Sequence, residues 1–156
     1  MECYEGATMI KTFRGRMVDD TQDAISLHTN DGSMGYRILK MQMLPTHASK
    51  DIEGVIKIYS TRNANVTTPT TDIDFSDNEL VAAAIVTGAH SHEIPWDSTV
   101  VFDHIVFNQD IYVTWKCNDK IEDINYYLEL EQVKLDINSN TVATLKDMRN
   151  TATPLP

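Results

Sequence analysis

The sequence predicts an all-β fold in which two antiparallel sheets pack as a sandwich, with one short C-terminal helix. Three observations predict it. Apolar and polar residues alternate with period two along most of the chain. Clusters of Asp, Asn, Gly and Pro interrupt the alternation at close spacing, as the turns of short strands require. One stretch alone spaces its apolar residues three apart, near the end.

Taken in order, residues 9–18 (MIKTFRGRMV) alternate Met9, Lys11 and Phe13 against Ile10, Thr12 and Arg14. The turn DDTQD follows, and AISLHT then sets Ile25 and Leu27 on one face, so the pair reads as an opening hairpin. The run from Asn30 to Ser33 reverses the chain, because Asp and Gly tolerate the conformations of a tight turn. YRILKMQMLP is a long strand with Leu39, Met41 and Met43 on one face, ended by Pro45, which has no ladder donor. GVIKIYS (54–60) sets Ile56 and Ile58 against Val55, Lys57 and Tyr59.

Residues 61–72 (TRNANVTTPTTD) are polar, threonine-rich and without a buried stripe, so they read as a long loop. Residues 75–87 combine a capping signal at Ser76 or Asp77 with the strand-like AIVT, and the extended reading is preferred. STVVFDHIVFN (98–108) is rich in β-branched and aromatic residues. DIYVTWKC places Ile111, Val113, Trp115 and Cys117 on one face. INYYLEL does the same with Ile124, Tyr126, Leu128 and Leu130, and the two read as an antiparallel hairpin. Val133 and Leu135 break that parity, which a bulge at Glu131 or Gln132 would absorb. NTVATLKDMR (140–149) spaces Val142, Leu145 and Met148 as a short amphipathic helix. About eight short strands with almost no helix specify a sandwich of jelly-roll type. No internal repeat is present, which sets aside propellers and solenoids. The expected organisation is an N-terminal arm (1–7), one sandwich domain (8–150) and a C-terminal tail (151–156).

At 156 residues the chain has the length of one domain. Apolar residues make up 42% and charged residues 23%, values of a folded globular protein. The net charge of −10, from 23 acidic and 13 basic residues, argues against a nucleic-acid partner, which needs a clustered positive field. The one small basic cluster is Lys11, Arg14 and Arg16. Cys3 and Cys117 form neither a redox pair nor a zinc cluster and are expected as reduced thiols, Cys117 in the core. No signal peptide is expected at the N-terminus, and no apolar run reaches membrane-spanning length, so no membrane partner is expected.

The residues that could carry chemistry are few. GAHSHEIPW (88–96) presents His90 and His92 with Glu93 beside them, and His104 with Asn108 further on. In part this resembles the metal motif of cupins, which hold an ion with an HxH pair, a later Glu and a third His. The pattern departs from it in four ways, the first being that the Gly-x-Gly-like turn ahead of the second motif is missing. Glu93 directly follows His92 and would point to the other face of a strand. Only 11 residues separate His92 from His104. Pro95 and Trp96 favour a turn. The expectation is a surface loop without an ion.

TDIDFSDNE gathers Asp72, Asp74, Asp77 and Glu79, but lacks the central Gly and the fixed spacing of a calcium loop, and reads as a capping turn with a solvated acidic face. No nucleophile elbow and no Gly-rich phosphate loop occurs, so no catalytic residue, cofactor or metal ligand is assigned. Trp115, Tyr126 and Tyr127 could form a sugar platform, but at strand spacing they read first as core and cross-strand packing.

Three blocks carry a family likeness: FDHIVFNQDIYVTWK, INYYLELEQVKL and NTVATLKDMRN, with KIYSTRN and DFSDNELVAAAIVTG upstream. Together they resemble a group of small virion proteins of tailed phages of marine bacteria, over about residues 8–150. The resemblance implies a non-enzymatic decoration or cement protein located in the virion. Its partner would be the major capsid protein or other virion proteins, and it would assemble as a homo-oligomer, a trimer by preference. The terminal segments and residues 61–72 would then be arms that order on assembly. The competing expectations are a receptor- or carbohydrate-binding module of a phage fibre and, third, a cupin-like metal enzyme.

Overall fold

The computed structural model describes residues 8–27, 33–47, 51–88, 97–118 and 121–136. Its strands are β1 (Ile10–Met17), β2 (Thr21–Ile25), β3 (Met34–Pro45), β4 (Ile52–Tyr59), β5 (Leu80–Gly88), β6 (Asp97–Val101), β7 (Ile111–Cys117) and β8 (Ile124–Lys134), with one helical turn, α1 (Ala64–Thr67). They form two sheets in which every pairing is antiparallel, β1-β8-β3 and β2-β7-β4-β5-β6. The all-β expectation therefore holds, with a shared core between the layers. The 140–149 helix and both terminal arms lie outside the described residues.

Alternation placed most core residues correctly. Ile124, Tyr126, Leu128 and Leu130 of β8 face Ile56 and Ile58 of β4 and Ile111, Val113 and Trp115 of β7 across the interior. The indole of Trp115 is fully buried and occupies the space beside Gly54, where an added Cβ would lie 2.5 Å from its outer ring and 2.7 Å from the Lys116 carbonyl. Its N–H donates to the Glu122 carbonyl at 2.8 Å.

Neither expected hairpin forms. β1 pairs with β8 and β2 with β7, so the chain changes sheets between Met17 and Thr21. The acidic turn is the corner. Asp20 adopts φ 62°, the left-handed region that Asp tolerates better than most residues. The Asp19 carboxylate accepts the Cys117 N–H at 2.6 Å, and the Asp20 N–H reaches the Trp115 carbonyl at 3.1 Å. β7 and β8 likewise lie in opposite sheets, joined by a crossing held at Glu122. The reason is geometric: period two shows which side chains face the core, and both a hairpin and an arch between layers satisfy it.

Three local expectations also change. Leu39 is bulged out and exposed, because Ile38 pairs with Leu130 while Lys40 pairs with Glu129, so Ile38 and Met41 both reach the core. The bulge thus sits in β3, not at Glu131 or Gln132 of β8, which stays paired with β3 to Lys134. The strand expected over 75–87 starts only at Leu80, and the run 98–108 stops being a strand at Val101 before Phe107 bridges to Tyr36 of β3. Residues 61–72 do carry buried groups. Asn63 caps α1 by accepting the Val66 N–H at 3.1 Å, and Val66 packs into a second cluster with Tyr59, Leu80 and Ala83.

Gly54→Ala is expected to destabilise the fold by about 1–3 kcal/mol, because a rigid indole and a main-chain oxygen would both have to yield. Gly88→Ala, whose Cβ would meet a single Ile52 methyl at 3.3 Å, should cost less. Urea denaturation of the two variants checks the order; equal midpoints would remove Trp115 as the cause.

Candidate interaction surfaces

The outer face of the five-stranded sheet is roofed by the segment between β4 and β5. Lys57, on the central strand β4, projects into that roof and is 1% exposed. Its ammonium donates to the Asp72 carbonyl at 2.6 Å and to the Thr70 hydroxyl at 3.2 Å, and stands 5.8 Å from the Tyr59 ring centroid. Burial lowers its pKa below the usual 10.5, opposed by the charges of Asp72 and Asp77. The Tyr59 phenol is shifted upward, by burial first and then by Asp77, Glu79 and Asp74. Lys57 is a strut that ties the loop to the sheet, so residues 61–72 are not a free arm. The expectation missed it, although a lysine between Val55 and Tyr59 on one face of an otherwise apolar strand was the available signal.

The acidic run 72–79 forms the rim of this roof. Asp74 accepts the Ser76 N–H at 2.9 Å and the Ser76 hydroxyl at 2.6 Å, which lowers its pKa. Asp77 accepts the Glu79 N–H at 2.9 Å and the Asn65 amide at 3.3 Å, and Glu79 accepts the Asn63 amide. These carboxylates are spent on turns ahead of strand β5, where the sequence suggested a helix cap. No three His, Cys, Asp or Glu side chains converge on a point among the described residues. His90, His92, Glu93, Pro95 and Trp96 lie outside them. His104 rests edge-on against Phe102, ring centroids 6.4 Å apart, and Asn108 is buried.

The three-stranded sheet is different. In-register triplets cross its outer face: Thr12, Glu129 and Lys40; Arg14, Tyr127 and Gln42; Arg16, Asn125 and Leu44. A groove of about 670 Å³ lies over Arg14, Tyr127, Gln42, Asn125 and Leu44 and is also bordered by Gly15, Met43 and Tyr126. The basic cluster of the sequence is split by strand geometry. Lys11 turns inward to the Tyr36 hydroxyl at 2.9 Å, Arg16 pairs with Asp123 at 2.6 Å, and Arg14 points out with no ion-pair partner among the described residues.

The aromatic stripe divides in the same way. Trp115 is core. Tyr126 is buried, donates to Asp23 at 3.2 Å across the layers, and has its pKa pushed up to about 12 by burial and by Asp23. Tyr127 sits on the outer face and donates to Glu129 at 3.0 Å. Cys117 is a free, buried thiol facing the Glu122 carbonyl at 3.2 Å, and burial raises its pKa.

A separate apolar strip follows β6, an edge strand, on its outer side. Ile85 and Val100 are 41% and 37% exposed on adjacent strands, and Phe75, 57% exposed, meets Phe102 edge-on at 5.3 Å. Compared with known protein families and with curated proteins, the chain matches none. Among the described residues, no helix is long and apolar enough to cross a membrane.

Lys57 makes stability depend on pH in a defined direction. Its folded pKa is below the unfolded value of 10.5, so between those two pH values the unfolded chain holds a proton that the folded chain has lost. Stability contributed by this group should therefore rise with pH through that window and be constant below it. Lys57→Met keeps the stem and removes the titration. The difference in urea midpoint between the native chain and Lys57→Met should then grow in favour of the native chain as pH rises towards 10.5, whereas a pH-independent difference would mean that burial does not disfavour the ammonium. Lys57→Ala, which also empties the stem's space, is expected to cost about 2–4 kcal/mol.

Proposed function

We propose that the chain is a non-enzymatic structural protein of a virus particle, a jelly-roll decoration protein bound to the head surface through the major capsid protein. The observation that carries this reading is the strand order. In a jelly roll, two Greek keys place strands 1, 8, 3 and 6 in one sheet and 2, 7, 4 and 5 in the other. The order β1-β8-β3 against β2-β7-β4-β5 supports that reading, while β6 departs from it by pairing with β5 in the five-stranded sheet. β6 starts beside β5, and the chain beyond it takes the place next to β3, where Tyr36 and Phe107 exchange main-chain hydrogen bonds of 2.7 and 2.9 Å. Jelly rolls recur in capsid and lectin domains, so the wrapping alone does not separate the two. The sequence blocks resembling phage virion proteins favour the first.

The apolar strip of Ile85, Val100 and Phe75 is the contact this reading assigns to sister copies. It is exposed and next to a strand edge, and three copies closing around an axis would bury it. A second reading, a receptor- or carbohydrate-binding module, is favoured by one observation: the groove over Arg14, Tyr127 and Asn125 on the bare sheet.

Light scattering of the full chain should give a trimer, and Val100→Glu should give a monomer with an unchanged thermal midpoint. A monomeric native chain, or a trimer indifferent to Val100→Glu, would overturn that interface. The chain should also co-sediment at fixed stoichiometry with purified particles of the virus that encodes it, and lose occupancy when residues 1–7 or 151–156 are deleted. Its absence from purified particles would end the virion reading.

A further inference from the structure

We infer that the groove on the outer face of β1, β8 and β3 is a binding site for an acidic sugar, a pyranose carrying a carboxylate. The inference rests on the carbohydrate-binding reading and names its site and ligand class. Arg14 and Gln42 stand opposite Tyr127 on the flanking strands, Asn125 lies two residues along β8 on the same face, and none of these three side chains has a hydrogen-bond or ion-pair partner among the described residues. A guanidinium and two carboxamides around an aromatic face are the groups a sugar acid requires. The ring receives the apolar face of the pyranose, the carboxamides both donate and accept towards hydroxyls, and the guanidinium holds a carboxylate through two parallel bonds.

Orientation and size agree. The Tyr127 hydroxyl is drawn to Glu129, which also has the Lys40 ammonium at 4.0 Å, so the phenol is fixed while its ring stays between Arg14 and Gln42. From Arg14 to Gln42 the row crosses two strand spacings, about 10 Å in all, the span of one to two sugar units. A ligand on this face meets side chains and no main-chain ladder groups, which disfavours an added peptide strand.

Charge singles out Arg14. In a chain of net −10, the other arginines of this face, Arg16 and Arg37, are neutralised by Asp123 and Glu131. The depression at the opposite end of the sheet is equally large, about 670 Å³, but its arginine is Arg37, already bound. Among the described residues, therefore, a guanidinium without an ion-pair partner beside an aromatic ring occurs in the first of these two grooves and not in the second.

Calorimetric titration of the full chain with a galacturonate trisaccharide, the uncharged galactose trisaccharide and sodium acetate tests the assignment. The acidic sugar should bind at least about tenfold more tightly than the neutral one. Arg14→Gln, an exposed substitution, should abolish that difference. Tyr127→Ala should weaken both sugars about tenfold, while Tyr127→Phe, which keeps the ring, stays within about twofold. Thermal midpoints of all variants should match the native chain. If neutral glycans bind and Arg14→Gln changes nothing, the inference fails while the carbohydrate reading stands. If neither trisaccharide binds, nor any member of a glycan panel, both fail. If acetate competes as well as the trisaccharide, the groove holds a simple anion and the inference is overturned.

Discussion

The fold depends on one buried indole. Trp115 lies at the centre of the interior, yet its N–H needs a partner, since an unmet donor there would cost about 1–3 kcal/mol. The partner is the Glu122 carbonyl, on the segment that carries the chain from β7 in one sheet to β8 in the other. The same carbonyl faces the Cys117 thiol. On the indole's other side Gly54 removes a side chain where any Cβ would collide. Packing and hydrogen bonding of one residue thus fix where the chain changes layers, and with that the position of β8 between β1 and β3.

The second crossing is tied to the same strand. Asp19 and Asp20, at the corner between β1 and β2, bond to Cys117 and Trp115 of β7. The exit from β1 and the entry to β8 are therefore both anchored to β7, and the corner needs a residue at φ 62°, supplied by Asp20. An acidic pair that composition counts as surface charge is in fact the joint between layers.

Which side chains face inward was legible in the sequence, because alternation is a local property. Ile111, Val113, Trp115 and Cys117, and the matching set on β8, were read directly and are buried. Strand partners were not legible. Residues 9–29 and 110–130 satisfy a hairpin pattern as well as an arch, and the deciding contacts, such as Asp19 to Cys117, lie far apart in sequence. The bulge at Leu39 escaped for a related reason: Leu39, Met41 and Met43 share a parity, and the shift shows only against Leu130 and Glu129 of β8. The candidate groove was the least legible. Arg14 was visible as a member of a basic cluster, but Gln42 and Asn125 gain meaning only when β3 and β1 flank β8.

The two outer faces differ in how they meet solvent. On the five-stranded sheet, the central strand's outward residues are covered by the 60–79 segment, and Lys57 secures that cover from beneath by bonding to Asp72 and Thr70. The cover leaves a desolvated ammonium beneath the loop, held by those two bonds. On the three-stranded sheet the described residues form no such roof, and its outward residues are mostly charged, amide or phenolic, with Leu44 and Ile10 exposed among them. The wider sheet can bear a loop and an apolar edge, and the narrower one keeps its polar face open to solvent. The outer faces therefore differ in cover: the loop and the exposed Ile85 and Val100 lie on the wider sheet, and the uncovered groove lies on the narrower one.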